Sequence, residues 1–156
     1  MGFLDDRYLL RGATAAALYD RIRALPIIDA HNHADVKALA DNRSFADIWD
    51  AEAATDHYVW ECLRKRGVSE DLLTGKASSH DKWLAMAGAF DDLVGNPTYE
   101  WIHLDLRRRF GVDDLIGAAT AESIWERTKA LLARPEMRQQ QLIKANSLAQ
   151  LNQVLD

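Results

Sequence analysis

The 156-residue sequence is poor in the residues that mark several familiar classes of protein. It has one cysteine, Cys62, so no internal disulfide is available and a reducing cytoplasm is the expected compartment. Cys62 sits in "HYVWECLRKRG" without a CxxC partner and reads as a plain core or surface thiol. No run approaches the ~20 apolar residues needed to span a bilayer. The opening "MGFLDDRYLL" has an early acidic pair and no long apolar stretch, which makes it a poor signal peptide. Positive charge is not in excess either: 19 Lys and Arg face 24 Asp and Glu, a net charge of -5. That balance gives no electrostatic reason to expect DNA, RNA or an anionic membrane as partner. The clusters "LRKRG" and "LRRRFG" lie in helix-like segments beside acidic neighbours, as solvated faces or internal ion pairs do. Repeats, linkers and low-complexity tracts are absent. A soluble, cytoplasmic chain is expected.

What is present is mostly helix. With 48% hydrophobic and 28% charged residues, the chain has the composition of a globular protein and the length of one ordinary domain. Thr14 to Leu25 predicts an amphipathic helix with Leu18, Ile22 and Leu25 on one face, ended by Pro26. "PIIDAH" is short, apolar and β-branched, which predicts a buried strand over about residues 26–31, the only convincing strand in the chain. Helices follow. Ser44 is the expected cap of "FADIWDAEA", Asp56 of "HYVWECLRKR" with Gly67 as stop, and Ser69 starts a short turn. His80 to Val94 carries Trp83, Leu84, Ala87, Phe90 and Val94 at near-helical spacing. Asn96, Pro97 and Gly111 punctuate "NPTYEWIHLDLRRRFG"; Thr120 caps the next helix and Pro135 opens the last. His103 is expected to be structural and His80 a surface residue. The tryptophans at 49, 60, 83, 101 and 125 are expected in the core. A lone strand cannot satisfy its backbone. It must pair with another copy, be covered by the helices, or belong to something larger, and the last fits best.

"LPIIDAHNHADVK" carries two of the five histidines, His31 and His33. In a strand, residues i and i+2 point to one face about 6.5–7 Å apart, so both imidazoles can converge on one metal ion. Zinc, iron and manganese suit neutral imidazole about equally. The pair also falls where the strand ends, the position of active sites in α/β barrels. Against this, five histidines in this length give about one chance in six of an accidental HxH. Two ligands also make only half of a typical catalytic zinc site. Residue types alone leave both readings open.

A longer pattern bears on the choice. "LPIIDAHNHAD", "TDHYVWECLRKRGVSEDLLTG", "YEWIHLDLRRRFGV" and "ESIWERTKALLARPEMRQQQLI" resemble, in that order, the N-terminal third of the uronate (glucuronate) isomerases, a branch of the amidohydrolase superfamily. The resemblance covers roughly residues 7 to 143. It implies an α/β fold, the first part of a metal-dependent (β/α)8 (TIM) barrel with a helical insertion after the first strand. Residues 1–156 would then form a single, incomplete domain of that kind.

It further implies interconversion of D-glucuronate with D-fructuronate, and of D-galacturonate with D-tagaturonate. The cofactor is then a divalent metal, zinc among the candidates, held by His31 and His33. His57 and Tyr58 match the family's substrate-binding His-Tyr pair, with Tyr58 as the catalytic phenol able to give or take a proton. Without the resemblance, Tyr58 reads instead as an amphipathic residue with its ring buried.

From Asn146, "NSLAQLNQVLD" stops resembling the family, and the later aspartate ligand and carboxylate-gripping cations cannot be placed. The 156 residues alone are therefore expected to bind metal loosely and turn over uronates weakly. Two alternatives stand beside the isomerase: a helical self-association module forming a homo-oligomer through an open strand edge, and a metal-dependent hydrolase of the wider superfamily.

Overall fold

Pro26 lacks an amide hydrogen and pushes the residue before it out of helical geometry, so the first helix cannot continue into the first strand. In the computed structural model that helix, α1, spans Ala13–Ile22, and the strand, β1, spans Ile27–Asp29. The structure describes residues 4–5, 7–29, 35–145 and 148–150; at 29, 145 and 148–150 the backbone alone is described. The chain forms two compact units, one split (residues 1–44 and 135–156) and one continuous and helical (45–134).

The split unit holds α1, β1, a short helix α2 (Val36–Ala40), a 3-10 turn at Pro135–Met137, helix α8 (Gln139–Ala145) and a second strand, β2 (Leu148–Gln150). β1 and β2 run parallel, with Ile27 opposite Leu148, Ile28 opposite Ala149 and Asp29 opposite Gln150. The expectation of a single strand is thereby corrected. "LAQ" lies in an Asn- and Gln-rich stretch with no β-branched run until the chain's end, so its pairing comes from a distant segment and not from local preference. The expectation of burial is also corrected, since Ile27 is 56% and Ile28 70% exposed. Leu18, Ile22 and Leu25, the predicted apolar face, are exposed as well, and α1 buries no residue. Hydrogen bonds draw the two segments of this unit together. Arg43 O accepts the Gln139 amide at 3.3 Å, and Asn42 Oδ1 accepts the Gln140 amide at 3.1 Å.

The helical unit contains α3 (Ile48–Glu52), α4 (His57–Lys65), α5 (Ser79–Ala89), α6 (Pro97–Phe110) and α7 (Ala121–Leu132), with 3-10 turns at Glu70–Leu72 and Phe90–Leu93. Its core is apolar side chains at helical spacing: Val59 and Leu63 from α4, Trp83, Met86 and Ala87 from α5, Ile102 and Leu106 from α6, Ile124 and Leu132 from α7. Trp83 is fully buried and keeps its indole satisfied by donating to Ala121 O at 2.9 Å. α6 begins and ends as its sequence dictates. Asn96 Oδ1 accepts the Thr98 amide at 2.9 Å, Pro97 occupies the first turn, and Gly111 closes the helix at φ 62°, where a side chain would be strained.

Three local expectations change. Asp47, not Ser44, caps α3: its Oδ1 accepts the Asp50 amide, while Asp50 Oδ2 accepts the Ala46 amide, one residue before the cap. The helix over His80–Val94 stops at Ala89 and tightens, so Leu93 is buried and Val94 exposed. Trp101 is 57% exposed, because the buried side of α6 is set by Tyr99, Ile102, His103, Leu106 and Phe110.

Candidate functional site

His57 and Tyr58 are the first two residues of α4. The local sequence puts a helix start there because Asp56 can satisfy amides that a first turn leaves without partners. Its Oδ1 accepts the Tyr58 amide at 2.7 Å and the Val59 amide at 3.3 Å. Val59 and Leu63 anchor the opposite side of α4 in the core, and Trp60 Nε1 donates to Ala53 O at 2.8 Å, tying α4 to the end of α3.

The pair is therefore held on a fixed helix end. Its rings lie 4.3 Å apart between centroids at an interplanar angle of 33°. Both residues are exposed, Tyr58 by 59%, which overturns the buried-ring reading of that tyrosine. The Asp56 carboxylate already occupies the Tyr58 and Val59 amides, so those two N–H groups are not open to an anionic ligand at this helix end.

Close by, at the end of α3, lies a carboxyl group that sequence reading missed. Burial pushes the Glu52 carboxyl up to about 8, the negative charges of Asp105 and Asp56 add to the rise, and Arg109 opposes it. Burial also raises Asp105, with Arg109, 3.6 Å away, and Arg108 holding it back. At neutral pH, Glu52 is thus a neutral acid beside the helix end that presents His57 and Tyr58. A signal existed. Asp56, four residues along, is one of the like charges that add to the rise.

His31 and His33 lie outside the described residues; β1 ends at Asp29, two residues before His31. Among the described residues there is no group of three or more His, Cys, Asp or Glu side chains that could hold a metal ion. The other histidines have structural surroundings. His103 is buried between Tyr99 O and the Ile116 amide, as expected. His80 bonds Glu122 Oε2 at 2.8 Å and stands edge-on to Trp125. Cys62 is half-buried and accepts from Asn96 Nδ2 at 3.6 Å. Among the described residues no helix is long and apolar enough to cross a membrane.

Comparison with known proteins extends the pattern of sequence blocks. The model of the family described as "Glucuronate isomerase" matches residues 1–153, so the likeness runs through the C-terminal stretch where it had been expected to stop. The chain is 53% identical over 142 residues to the uronate isomerase of Thermotoga neapolitana, covering 91% of this chain and 31% of that protein. The crystal structure of uronate isomerase from Thermotoga maritima superposes with a TM-score of 0.89 at 51% identity, over 93% of this chain and 32% of that one. Glucuronate isomerase from Caulobacter crescentus gives a TM-score of 0.85 at 28% identity, over 94% of this chain and 33% of its own. The chain spans 31% of the length of the curated Thermotoga neapolitana relative it matches.

Proposed function

The chain belongs to the glucuronate isomerase family, and on that premise we propose that it supplies the first strand and the helical excursion of a uronate isomerase. The observation that carries this reading is the family match over residues 1–153 together with 53% identity to a uronate isomerase. Both units are read as parts of one domain, the opening of a cytoplasmic, metal-dependent (β/α)8 barrel. The parallel pairing of β1 with β2 supports that architecture, since parallel strands joined through helices are its repeating element.

The proposed reaction is aldose–ketose isomerisation of a hexuronate, D-glucuronate to D-fructuronate or D-galacturonate to D-tagaturonate. It moves a proton between neighbouring sugar carbons while oxygen-bound protons shift alongside. Tyr58 is the proposed proton carrier: its phenol is exposed, on a capped and core-anchored helix end, and so open to a substrate hydroxyl. His57, tilted against it, is the proposed hydrogen-bond partner for a sugar hydroxyl or the uronate carboxylate.

His31 and His33 are the proposed metal ligands. As a donor set, two neutral imidazoles suit a borderline divalent ion such as zinc and supply part of the usual three protein ligands. When bound, the metal supplies positive charge beside the oxygens where negative charge develops. Two ligands alone hold such an ion loosely, so isolated residues 1–156 are expected to bind it weakly and turn over little substrate.

Grafting tests the reading. Residues 1–153 replace the matched N-terminal segment of the Thermotoga maritima uronate isomerase, and glucuronate isomerisation is followed. The graft is expected to turn over substrate. Tyr58→Phe should lower kcat by on the order of a hundredfold or more, and His31→Ala with His33→Ala should abolish metal retention. A folded, metal-loaded graft without turnover, or one indifferent to Tyr58→Phe, would overturn it.

A further inference from the structure

Two elements flank the stretch of sequence that carries His31 and His33, and neither is fixed by a core. β1 ends at Asp29 with Ile27 and Ile28 more than half exposed, and α2, which begins at Val36, buries no side chain. Hydrogen bonds place both elements, and from both they reach α8 and β2. β1 pairs with β2, Asp29 opposite Gln150. The end of α2 and the start of α8 exchange caps. Asn42 follows the α2 C-cap, Asp41, at φ 52°, a left-handed geometry that asparagine tolerates better than most residues with a side chain. The Asn42 amide donates to Leu39 O at 3.1 Å and the Arg43 amide to Ala38 O at 2.9 Å, closing the turn. Glycine would satisfy that backbone equally well. Asparagine adds Oδ1, which accepts the Gln140 amide at 3.1 Å in the first turn of α8. In return, Gln140 Nε2 donates to Leu39 O at 2.8 Å and Ala40 O at 3.3 Å, in the last turn of α2.

We propose that Asn42 and Gln140 are positioning residues for the metal ligands: by clasping α2 to α8, they hold both ends of the stretch between Asp29 and Asp35 on one support. The inference rests on the reading of His31 and His33 as ligands given above. The links make a closed circuit. The chain leads from β1 through the histidine stretch to α2, the clasp joins α2 to α8, α8 leads on to β2, and the ladder returns to β1. Asp35 firms the entry to α2, its Oδ1 accepting the Lys37 amide at 2.9 Å and the Ala38 amide at 3.1 Å. Two imidazoles hold an ion best when their separation is set before it arrives, because ordering a loose ligand subtracts from affinity. Opening the clasp frees the α2 end of the stretch and leaves the imidazoles themselves unchanged. Both side chains therefore act through the support and not on the ion.

The test compares residues 1–156 with two variants. Asn42→Gly keeps the backbone turn and loses Oδ1, and Gln140→Glu keeps the side-chain shape and loses the amide donor. Each is expected to quicken amide exchange across Ile27–Asp29 by about fivefold. Each should also weaken cobalt(II) binding, followed by its visible absorption, by at least about threefold. Asn42→Asp retains an oxygen acceptor and tolerates the left-handed turn, so it should restore both readings. Exchange at Leu63 and Trp83, in the separate helical unit, is the folding control and should not change. Exchange over β1 indifferent to both substitutions would overturn the proposal. So would a cobalt affinity that both variants leave unchanged while His31→Ala with His33→Ala abolishes it. Cobalt binding that ignores the histidine pair, with exchange over β1 still quickened by both variants, would leave the clasp standing and count against the metal reading instead.

Discussion

His103 Nε2 accepts the Ile116 amide at 2.8 Å while its Nδ1 lies 2.7 Å from Tyr99 O. The carbonyl can only accept and the amide can only donate, so the ring is neutral with its proton on Nδ1. One histidine thus fastens the loop that carries Ile116, a fully buried residue, to the middle of α6.

That arrangement predicts an acid-sensitive helical unit. Burial lowers the pKa of His103, opposed by its bond to Tyr99 O and by Asp91. As pH falls below the ordinary histidine value of about 6.5, the unfolded chain takes up the proton before the folded one does. The stabilising effect of the neutral ring is complete above that value and is lost as pH descends toward the folded pKa. His103→Ala should cost about 2–4 kcal/mol at neutral pH, through the cavity and the orphaned Ile116 amide. It should also flatten the loss of stability that sets in below about pH 6.5 in urea melts. An unchanged pH slope would remove His103 as its source.

Glu52 predicts the opposite dependence. Its folded pKa, about 8, stands above the ordinary glutamate value of 4.5, so the folded state holds a proton that the unfolded state has released. Stability is therefore lost as pH rises from about 4.5 toward 8 and levels off beyond. Glu52→Gln keeps the shape and cannot ionise. It should raise stability at pH 8 by on the order of a few kcal/mol, with little effect near pH 4.5. Equal effects at the two pH values would show that Glu52 carries no extra proton.

Asp56 predicts a local effect on the proposed substrate-binding pair. Asp56→Ala removes the acceptor for the Tyr58 and Val59 amides and should cost about 1 kcal/mol. Hydrogen exchange at those two amides should quicken more than at Leu63, whose turn lies deeper in the helix. Asp56→Asn, an equally good cap, should restore most of the protection. Uniform exchange across α4 in the alanine variant would show that the first turn does not depend on its cap.

What the sequence showed and what it hid divide by range. Asp56, Asn96, Pro97 and Gly111 were legible because a cap is settled within a few residues. Asp47 displaced Ser44 because its Oδ1 reaches the Asp50 amide, a choice that depends on competition between two good caps. β2 was hidden because its partner among the described residues, β1, is more than a hundred residues earlier. Trp101 misled through its residue type: helical spacing from Ile102 and Leu106 puts it on the outer side of α6. At the candidate site, only resemblance singled out His57 and Tyr58. The state of Glu52 depends on Asp105, 53 positions away, which no local pattern reports.

Gln140 Nε2 donates to Leu39 O at 2.8 Å across 101 positions of sequence, with residues 45–134 forming their own unit in between. On a ribosome, the helical unit would emerge and fill its core before Gln140 exists to reach back. Prior folding of that middle stretch also shortens the flexible tether that the last bond must close, easing an entropic cost that rises with length. The nascent chain would thus mature from its middle outward, with β1 waiting until β2 is made.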